Sequence, residues 1–362
     1  MGKIRILEVG LDTNLGGIET YLLTLASEID KSEYSLDFLA FDNQKPCFNE
    51  ELIKLGCNIR YVRSRRTSWF GNSKDLRNLI AKEKYDVIHC HLNSLTYITP
   101  ALEGLKAGCK VIVQSHNGGM ATGSSSRILN IINRLRLPYN RLTLVAVSDV
   151  AGKWMFGKHD YQVISNGIDT DAFKFDPQKR SAIRKELNIP DNSEVIAHVG
   201  AFRTQKNHAF ILDIFKKFKE KHDNSVLILV GDGELKQQIT EKAKSLGLDK
   251  SVIFTGNRKD IPDLLSTSDS FLFPSIYEGF GLALIEAEAN GLNCVASDCI
   301  PGNICFENCI RLSLNSPVSD WTSALDNIVG KKRESFAELV KTKGYGIDRE
   351  IRAIEQLYNK QS

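Results

Sequence analysis

Two carboxylates in the C-terminal half of the chain are set where chemistry is possible. Glu278 and Glu286 are separated by seven residues inside SFLFPSIYEGFGLALIEAEANG, residues 270–291. The apolar run 271–273 has the length of a buried strand, and Pro274 ends it because proline cannot donate to a sheet ladder. Residues 282–290, rich in Ala, Leu and Glu, read as a helix, with Gly291 as its C-terminal stop. Gly279, Phe280 and Gly281 then sit just before the helix N-terminus at Leu282, where unpaired N–H groups and absent side chains suit a phosphate or an anionic leaving group. Glu278 lies in the loop and Glu286 about two turns along the helix. Two carboxylates around an anion-seeking turn fit a ligand with hydroxyls at both ends and phosphates between, which is the layout of a nucleotide sugar. A plain strand-loop-helix unit with surface glutamates has the same pattern.

The segment PSIYEGFGLALIEAEANGLNCVASD, with its spaced Glu278 and Glu286, resembles the signature of the large retaining glycosyltransferase family called family 4, and the likeness extends over nearly the whole chain. The resemblance implies that Glu278 contacts the donor sugar and that Glu286 holds the ribose hydroxyls. It also implies that the backbone of Gly279, Phe280, Gly281 and Leu282 meets the diphosphate.

Composition is compatible with this reading. With 362 residues the chain has room for two domains, each with its own core. A net charge of +3 argues against wholesale nucleic-acid binding. The eight cysteines show no CxxC or His-rich spacing of a zinc site, so reduced thiols in a cytosolic protein are expected. No run of 18 apolar residues occurs, and Met1-Gly2-Lys3-Ile4-Arg5 leads into a strand and not a signal peptide. The expectation is a cytoplasmic protein, soluble or peripheral at the inner face of the membrane.

These residues need a scaffold, and the chain supplies strand and helix units in alternation. Apolar runs at 4–9, 35–41, 59–62, 86–91, 110–115 and 144–147 read as strands with helical patterns between many of them, hence an open parallel sheet. A second series follows at 195–199, 226–230, 252–255, 271–273 and 294–296. Residues 1–166 are expected as one domain, 167–345 as the other, and a last helix, about 346–362, crosses back to the first in the fold the family implies. The fold class is α/β. The resemblance makes it GT-B, two Rossmann-like doubly wound domains facing across a cleft.

Gly16 and Gly17 fall after the first strand, where doubly wound sheets bind ligands. A tight turn requiring glycine is the alternative; GGIE resembles the family loop that approaches the donor phosphates. Strand ends carry His89 and His91, then His116 and Asn117, then Ser148. His89 reads as structural, and Ser148 or Asp149 as a helix cap. SHN matches the family segment whose histidine faces the donor sugar, so His116 takes that role by resemblance.

Residues 118–142 open with a flexible Gly and Ser stretch and continue as a basic helix. Ile128, Leu129, Ile131, Ile132 and Leu135 supply apolar surface, and Arg127, Arg134, Arg136 and Arg141 supply positive charge. Two readings stand: a cationic amphipathic segment on an anionic membrane surface, or a helix that covers the sheet with its arginines in water.

Asp169-Thr170-Asp171 has the form of a metal-binding DxD, yet it lies in the interdomain linker and reads as a turn and helix cap. The family resembled uses no metal, so no metal or cofactor is expected. In GAFRTQKNH, Lys206 matches the family lysine that neutralises the departing diphosphate. The family's arginine after the glycine is missing, for Ala201 stands there. Arg203 either substitutes for it from a shifted position or is solvent exposed. Asn257, within the loop 256–259, is expected near the base by the same resemblance.

The resemblance thus implies a retaining transferase that moves a sugar from a nucleotide donor, UDP-linked, to a saccharide acceptor. Segments such as ISNGIDTDAF and LFPSIYEGFGLALIEA look most like enzymes of capsule, exopolysaccharide or O-antigen synthesis, whose acceptor is a polyprenyl-diphosphate-linked saccharide. The catalytic set is His116, Lys206 and Glu278. The competing readings are a nucleotide-sugar epimerase or phosphorylase, and a non-catalytic two-domain binder, the last favoured by the missing arginine.

Overall fold

A computed structural model describes residues 2–119 and 124–359. The Gly and Ser stretch expected before the basic helix falls partly at 120–123, outside the described residues. The chain divides into two compact units, Met1–Asn166 with Asp348–Ser362, and Gly167–Ile347.

The N-terminal unit carries a seven-stranded sheet: β1 (Ile4–Val9), β2 (Tyr34–Phe41), β3 (Asn58–Val62), β4 (Val87–Leu92), β5 (Lys110–Ser115), β6 (Thr143–Ala146) and β7 (Gln162–Val163). The spatial order is β3-β2-β1-β4-β5-β6-β7, and every pair is parallel. The order reverses between β1 and β4, and the crevice beyond their carboxyl ends is where such a sheet binds ligands. Gly10 leaves β1 there with φ +149, and a Cβ on it would stand 2.8 Å from the Cβ of His91. Only glycine lets the two strand ends approach so closely.

The second unit repeats the plan with β8 (Glu194–Val199), β9 (Ser225–Val230), β10 (Val252–Gly256), β11 (Ser270–Phe273), β12 (Asn293–Ser297) and β13 (Cys309–Leu312), ordered β10-β9-β8-β11-β12-β13 and again all parallel. Its order reverses between β8 and β11, so the loops that follow these two strands meet at the ligand-binding edge. One loop leads to Lys206 and the other to Glu278. Phe202, Phe215, Phe218, Leu272, Val295 and Trp321 form part of one core on this sheet.

The strands that the pattern did not reveal are β7 and β13. Both lie at sheet edges, where half-exposed short segments need no continuous apolar run. The terminal helix Ile347–Asn359 buries Ile351, Ile354, Leu357 and Tyr358, each side chain contributing about 1.5–3 kcal/mol. Apart from its first residue it belongs to the N-terminal unit, where Tyr358 Oη reaches Glu8 Oε1 at 2.7 Å and Glu355 Oε1 accepts from the backbone N–H of Asp30 at 3.2 Å.

The linker carboxylates are engaged locally. Asp169 Oδ1 accepts from the backbone N–H groups of Asp171 and Ala172, and Asp171 pairs with Lys174 at 2.5 Å.

Candidate active site

The site of the C-terminal unit begins at Gly200, directly after β8. A Cβ at this position would lie 3.0 Å from three methylene carbons of Lys206, so the glycine admits the lysine stem. Lys206 ends a short 3-10 turn, Thr204–Lys206, and the helix His208–Lys219 follows. Its ammonium lies 2.7 Å from Glu278 Oε1 and 4.7 Å from the centre of the Phe273 ring. Gln205 joins the two loops. Its side-chain amide donates to Tyr277 O at 3.0 Å and to Glu278 Oε2 at 3.2 Å, while its backbone carbonyl accepts from the backbone N–H of Ile276 at 2.8 Å. Glu278 is therefore buried with both oxygens occupied by donors.

The helix Leu282–Ala289 starts from Gly281 at φ +95 with no side-chain cap. A Cβ on Gly281 would also meet Ile304 Cδ1 at 2.6 Å. Conformation and space both demand glycine here; the Leu284 N–H donates to Gly281 O at 3.0 Å, which leaves the N–H groups of Leu282 and Ala283 for an anion. Glu286, on this helix, has no hydrogen-bond partner among the described residues. Burial pushes its carboxyl up to about 7, against the opposing pull of Lys206. Its neighbour Glu288 is fully buried, accepts from the backbone N–H of Phe306 at 2.8 Å, and is pushed by burial to about 9.

The structure thus brings Lys206, Glu278 and Glu286 into one electrostatic group beside the helix start at Gly281, which has no side-chain cap. Arg203 is not part of it: its side chain is exposed, without an ion-pair or hydrogen-bond partner among the described residues, and acts electrostatically on Tyr277. Asn257 is exposed in the loop after β10 and makes no hydrogen bond to the group. Gln205, which sequence reasoning missed, carries no motif signal; its role depends on the meeting of two loops.

In the N-terminal unit, Gly16 precedes the helix Gly17–Glu28, again with no side-chain cap at the Gly16 position. Glu19 turns its carboxylate toward this turn, so that a Cβ on Gly16 would lie 2.8 Å from Glu19 Oε2. His116 follows β5. Its Nε2 is 3.0 Å from His91 Nδ1, and His91 Nε2 is 2.7 Å from Glu8 Oε2. Burial holds all three imidazoles, His89, His91 and His116, neutral: His91 is lowered to about 3, the other two well below their ordinary range. Burial also raises the Glu8 carboxyl. The ligand atoms of Glu8, His89 and His91 lie within 4.8 Å of one another, the spacing of a metal group, but both nitrogens of His91 are already engaged in hydrogen bonds. His89 is buried against Tyr358, in keeping with a structural role. Ser148 caps the helix Asp149–Phe156 by accepting from the backbone N–H of Ala151. Glu8 was detectable, since an acid inside the apolar run IRILEV is anomalous unless it has partners.

The basic helix Ser124–Arg136 docks by its polar side. Asn130 accepts from Leu95 N, Asn133 donates to Leu95 O at 2.7 Å, and Arg134 donates to the carbonyl of Trp154. Arg141 reaches Leu105 O at 3.4 Å. Arg127 and Arg136 are exposed, and so are Ile128, Ile131, Ile132 and Leu135, the last 85% exposed. Across a groove from Arg136 lie Arg65, Trp69 and Phe70, with Phe70 88% exposed. Of the four arginines, Arg127 and Arg136 are in solvent while Arg134 and Arg141 bond to carbonyls, and the helix is anchored by polar residues with its apolar ones facing out. Among the described residues no helix is long and apolar enough to cross a membrane.

Residues 15–172 match the family model described as Glycosyltransferase Family 4, and residues 179–304 match Glycosyl transferases group 1. EpsF of Bacillus subtilis (strain 168), which carries a glycosyltransferase name, is 32% identical over 375 residues, covering 98% of this chain and 96% of its own. A UDP-Gal:alpha-D-GlcNAc-diphosphoundecaprenol alpha-1,3-galactosyltransferase of Escherichia coli is 31% identical over 256 residues, covering 64% of each chain. Among solved structures, Anabaena HepE in complex with UDP and glucose superposes with a TM-score of 0.81 at 18% identity, covering 98% of this chain and 99% of that one, a likeness of fold. Two Rossmann-like parallel-sheet domains of this kind are the GT-B fold. The chain is an enzyme of the glycosyltransferases, with a family 4 N-terminal domain and a group 1 C-terminal domain.

Proposed function

We propose that the protein transfers a sugar from a UDP-sugar to a polyprenyl-diphosphate-linked saccharide, with retention at the anomeric carbon, in capsule, exopolysaccharide or O-antigen synthesis. The observation that carries this reading is the group of Lys206, Glu278 and unpartnered Glu286 beside the uncapped turn at Gly281. Glu286 accepts the ribose hydroxyls, and the N–H groups of the turn take the diphosphate. Lys206 moves from Glu278 toward the charge that develops on the leaving oxygen, and Glu278 orients the donor sugar. The leaving diphosphate takes the acceptor's proton, so no base is needed in the protein. His116 and the Gly16-Gly17 turn are proposed for the donor-binding roles that the family resemblance implies.

The reaction is proposed to need no metal, because Lys206 and backbone dipoles neutralise the diphosphate, and Asp169 and Asp171 are engaged in their own turn. The UDP and lipid-linked acceptor follow the names of the HepE complex and the E. coli relative. The exposed face of Ile128, Ile131, Ile132 and Leu135, flanked by Arg127 and Arg136, supports peripheral attachment to an anionic inner membrane surface. Incubation with UDP-glucose, UDP-galactose and GDP-mannose, reading released UDP or GDP with and without a lipid-linked acceptor, tests the reading. Release of neither nucleotide under any condition would sink it.

A further inference from the structure

The chain of buried groups behind His116 fixes what its free nitrogen can do. Tyr358 Oη lies 2.7 Å from Glu8 Oε1 and 2.9 Å from His89 Nδ1, and His91 Nε2 lies 2.7 Å from Glu8 Oε2. With Glu8 ionised, its two oxygens accept charge-assisted hydrogen bonds, one from Tyr358 Oη–H and one from His91 Nε2–H. His91 must then hold its proton on Nε2, toward Glu8. Its Nδ1 is left bare and accepts from His116 Nε2–H at 3.0 Å. The same logic closes at the other end: Tyr358 donates to Glu8, so His89 donates from Nδ1 to Tyr358 and presents a bare Nε2. That Nε2 faces Gln114, whose amide nitrogen is itself buried without a partner and whose oxygen accepts from Tyr21 at 3.4 Å.

We propose that Glu8 and His91 are positioning residues that lock His116 as its Nε2–H tautomer, so that His116 Nδ1 is a hydrogen-bond acceptor for a sugar hydroxyl and rejects a carboxylate at that place. His116 Nδ1 has no partner among the described residues, and His116 stands half-buried at the ligand-binding edge of the sheet, beyond β5. Desolvation beside His91 keeps the ring neutral, so the tautomer and not a charge decides its preference. A neutral acceptor nitrogen pairs with O–H and repels a carboxylate oxygen. The inference rests on the placement of His116 at the donor sugar, and it narrows that sugar to a neutral one, as opposed to a uronic acid.

The test uses the full chain labelled with ¹⁵N at histidine, with ring nitrogen correlations recorded at neutral pH without donor. His116 is expected as the Nε2–H tautomer. His91→Phe, which removes the acceptor and keeps the volume, is expected to release His116 into a mixture of tautomers and to raise KM for the neutral donor about tenfold or more, with a smaller change in kcat. Glu8→Gln leaves a single oxygen where Tyr358 Oη–H and His91 Nε2–H both need an acceptor, so it is expected to shift the His116 tautomer in the same direction as His91→Phe. In a panel of UDP-glucose, UDP-galactose and UDP-glucuronic acid, the acid is expected to be the poorest donor. Finding His116 protonated on Nδ1, or as imidazolium, in the wild type overturns the relay, and that measurement needs no variant to fold. A wild-type preference for the uronate overturns the hydroxyl assignment. If His116→Ala leaves donor KM and kcat unchanged, the placement of His116 at the donor is what fails, while the tautomer result stands on its own.

Discussion

Lys206 holds Glu278 at 2.7 Å and from the same position acts on Glu286, whose carboxyl burial lifts to about 7. One ammonium thus acts on both an acid of the loop after β11 and an acid of the helix after it. In such a site, removing any one charge changes the demands on the other two.

Glu286→Ala is expected to weaken UDP binding by about 1.5–3 kcal/mol, the scale of hydrogen bonds to a charged group. Because the carboxyl titrates at about 7, the wild type holds the better acceptor above that pH. Affinity for UDP should therefore rise from pH 6 to pH 8 in the wild type more than in Glu286→Gln. Calorimetry at the two pH values checks this, and parallel pH profiles for both proteins would remove Glu286 from the nucleotide site.

Lys206→Ala is expected to lower kcat by about 10²-fold or more, as when a preorganised electrostatic contact is lost. Arg203→Ala should cost less, since its exposed side chain lies outside the group formed by Lys206, Glu278 and Glu286. Donor turnover in the two variants gives the comparison, and a larger loss for Arg203→Ala would shift the diphosphate contact to Arg203.

Turnover is expected to survive EDTA. Loss of activity that Mg²⁺ or Mn²⁺ restores would assign the neutralising charge to a metal in place of Lys206 and the Gly281 turn.

Glu288 gives a stability prediction with a defined sign. Its folded-state value, about 9, lies above the ordinary 4.5, so the native protein binds the extra proton between these values. Its stabilising contribution is complete below about pH 4.5 and is lost as pH rises toward 9, at about 1.4 kcal/mol per pH unit. Glu288→Gln removes that proton linkage. Urea denaturation at pH 6 and pH 8.5 should show the variant gaining on the wild type at the higher pH.

Anionic vesicles should bind the protein at low salt and release it as salt screens the charges, with each exposed arginine contributing about 1 kcal/mol. Arg127→Gln with Arg136→Gln should weaken co-sedimentation, and Leu135→Ser should weaken it further at any salt. Arg134 and Arg141 donate to carbonyls of their own domain, so their replacement is expected to lower the melting temperature more than vesicle binding. Binding that ignores salt and all of these changes would assign the face to another partner.

Much of this protein was legible in the chain itself, because the decisive signals are local. Buried parallel strands demand apolar runs, and Ile4–Val9 and Lys110–Ser115 appear in the structure with the bounds their sequence implies. Glycine at Gly281 and the Ala- and Leu-rich stretch after it announce a helix start whatever surrounds them. Which groups meet was decided by tertiary structure. Lys206 and Glu278 are 72 positions apart and touch because the sheet order reverses between β8 and β11. Glu8 and Tyr358 are 350 apart and meet because the terminal helix docks on the first sheet. The orientation of the basic helix followed the same rule: its composition gave two faces, and only the fit of Asn130 and Asn133 to the Leu95 backbone set which face turned inward. A hydrogen bond or a titration shift depends on distance and burial, and neither is a property of a residue type.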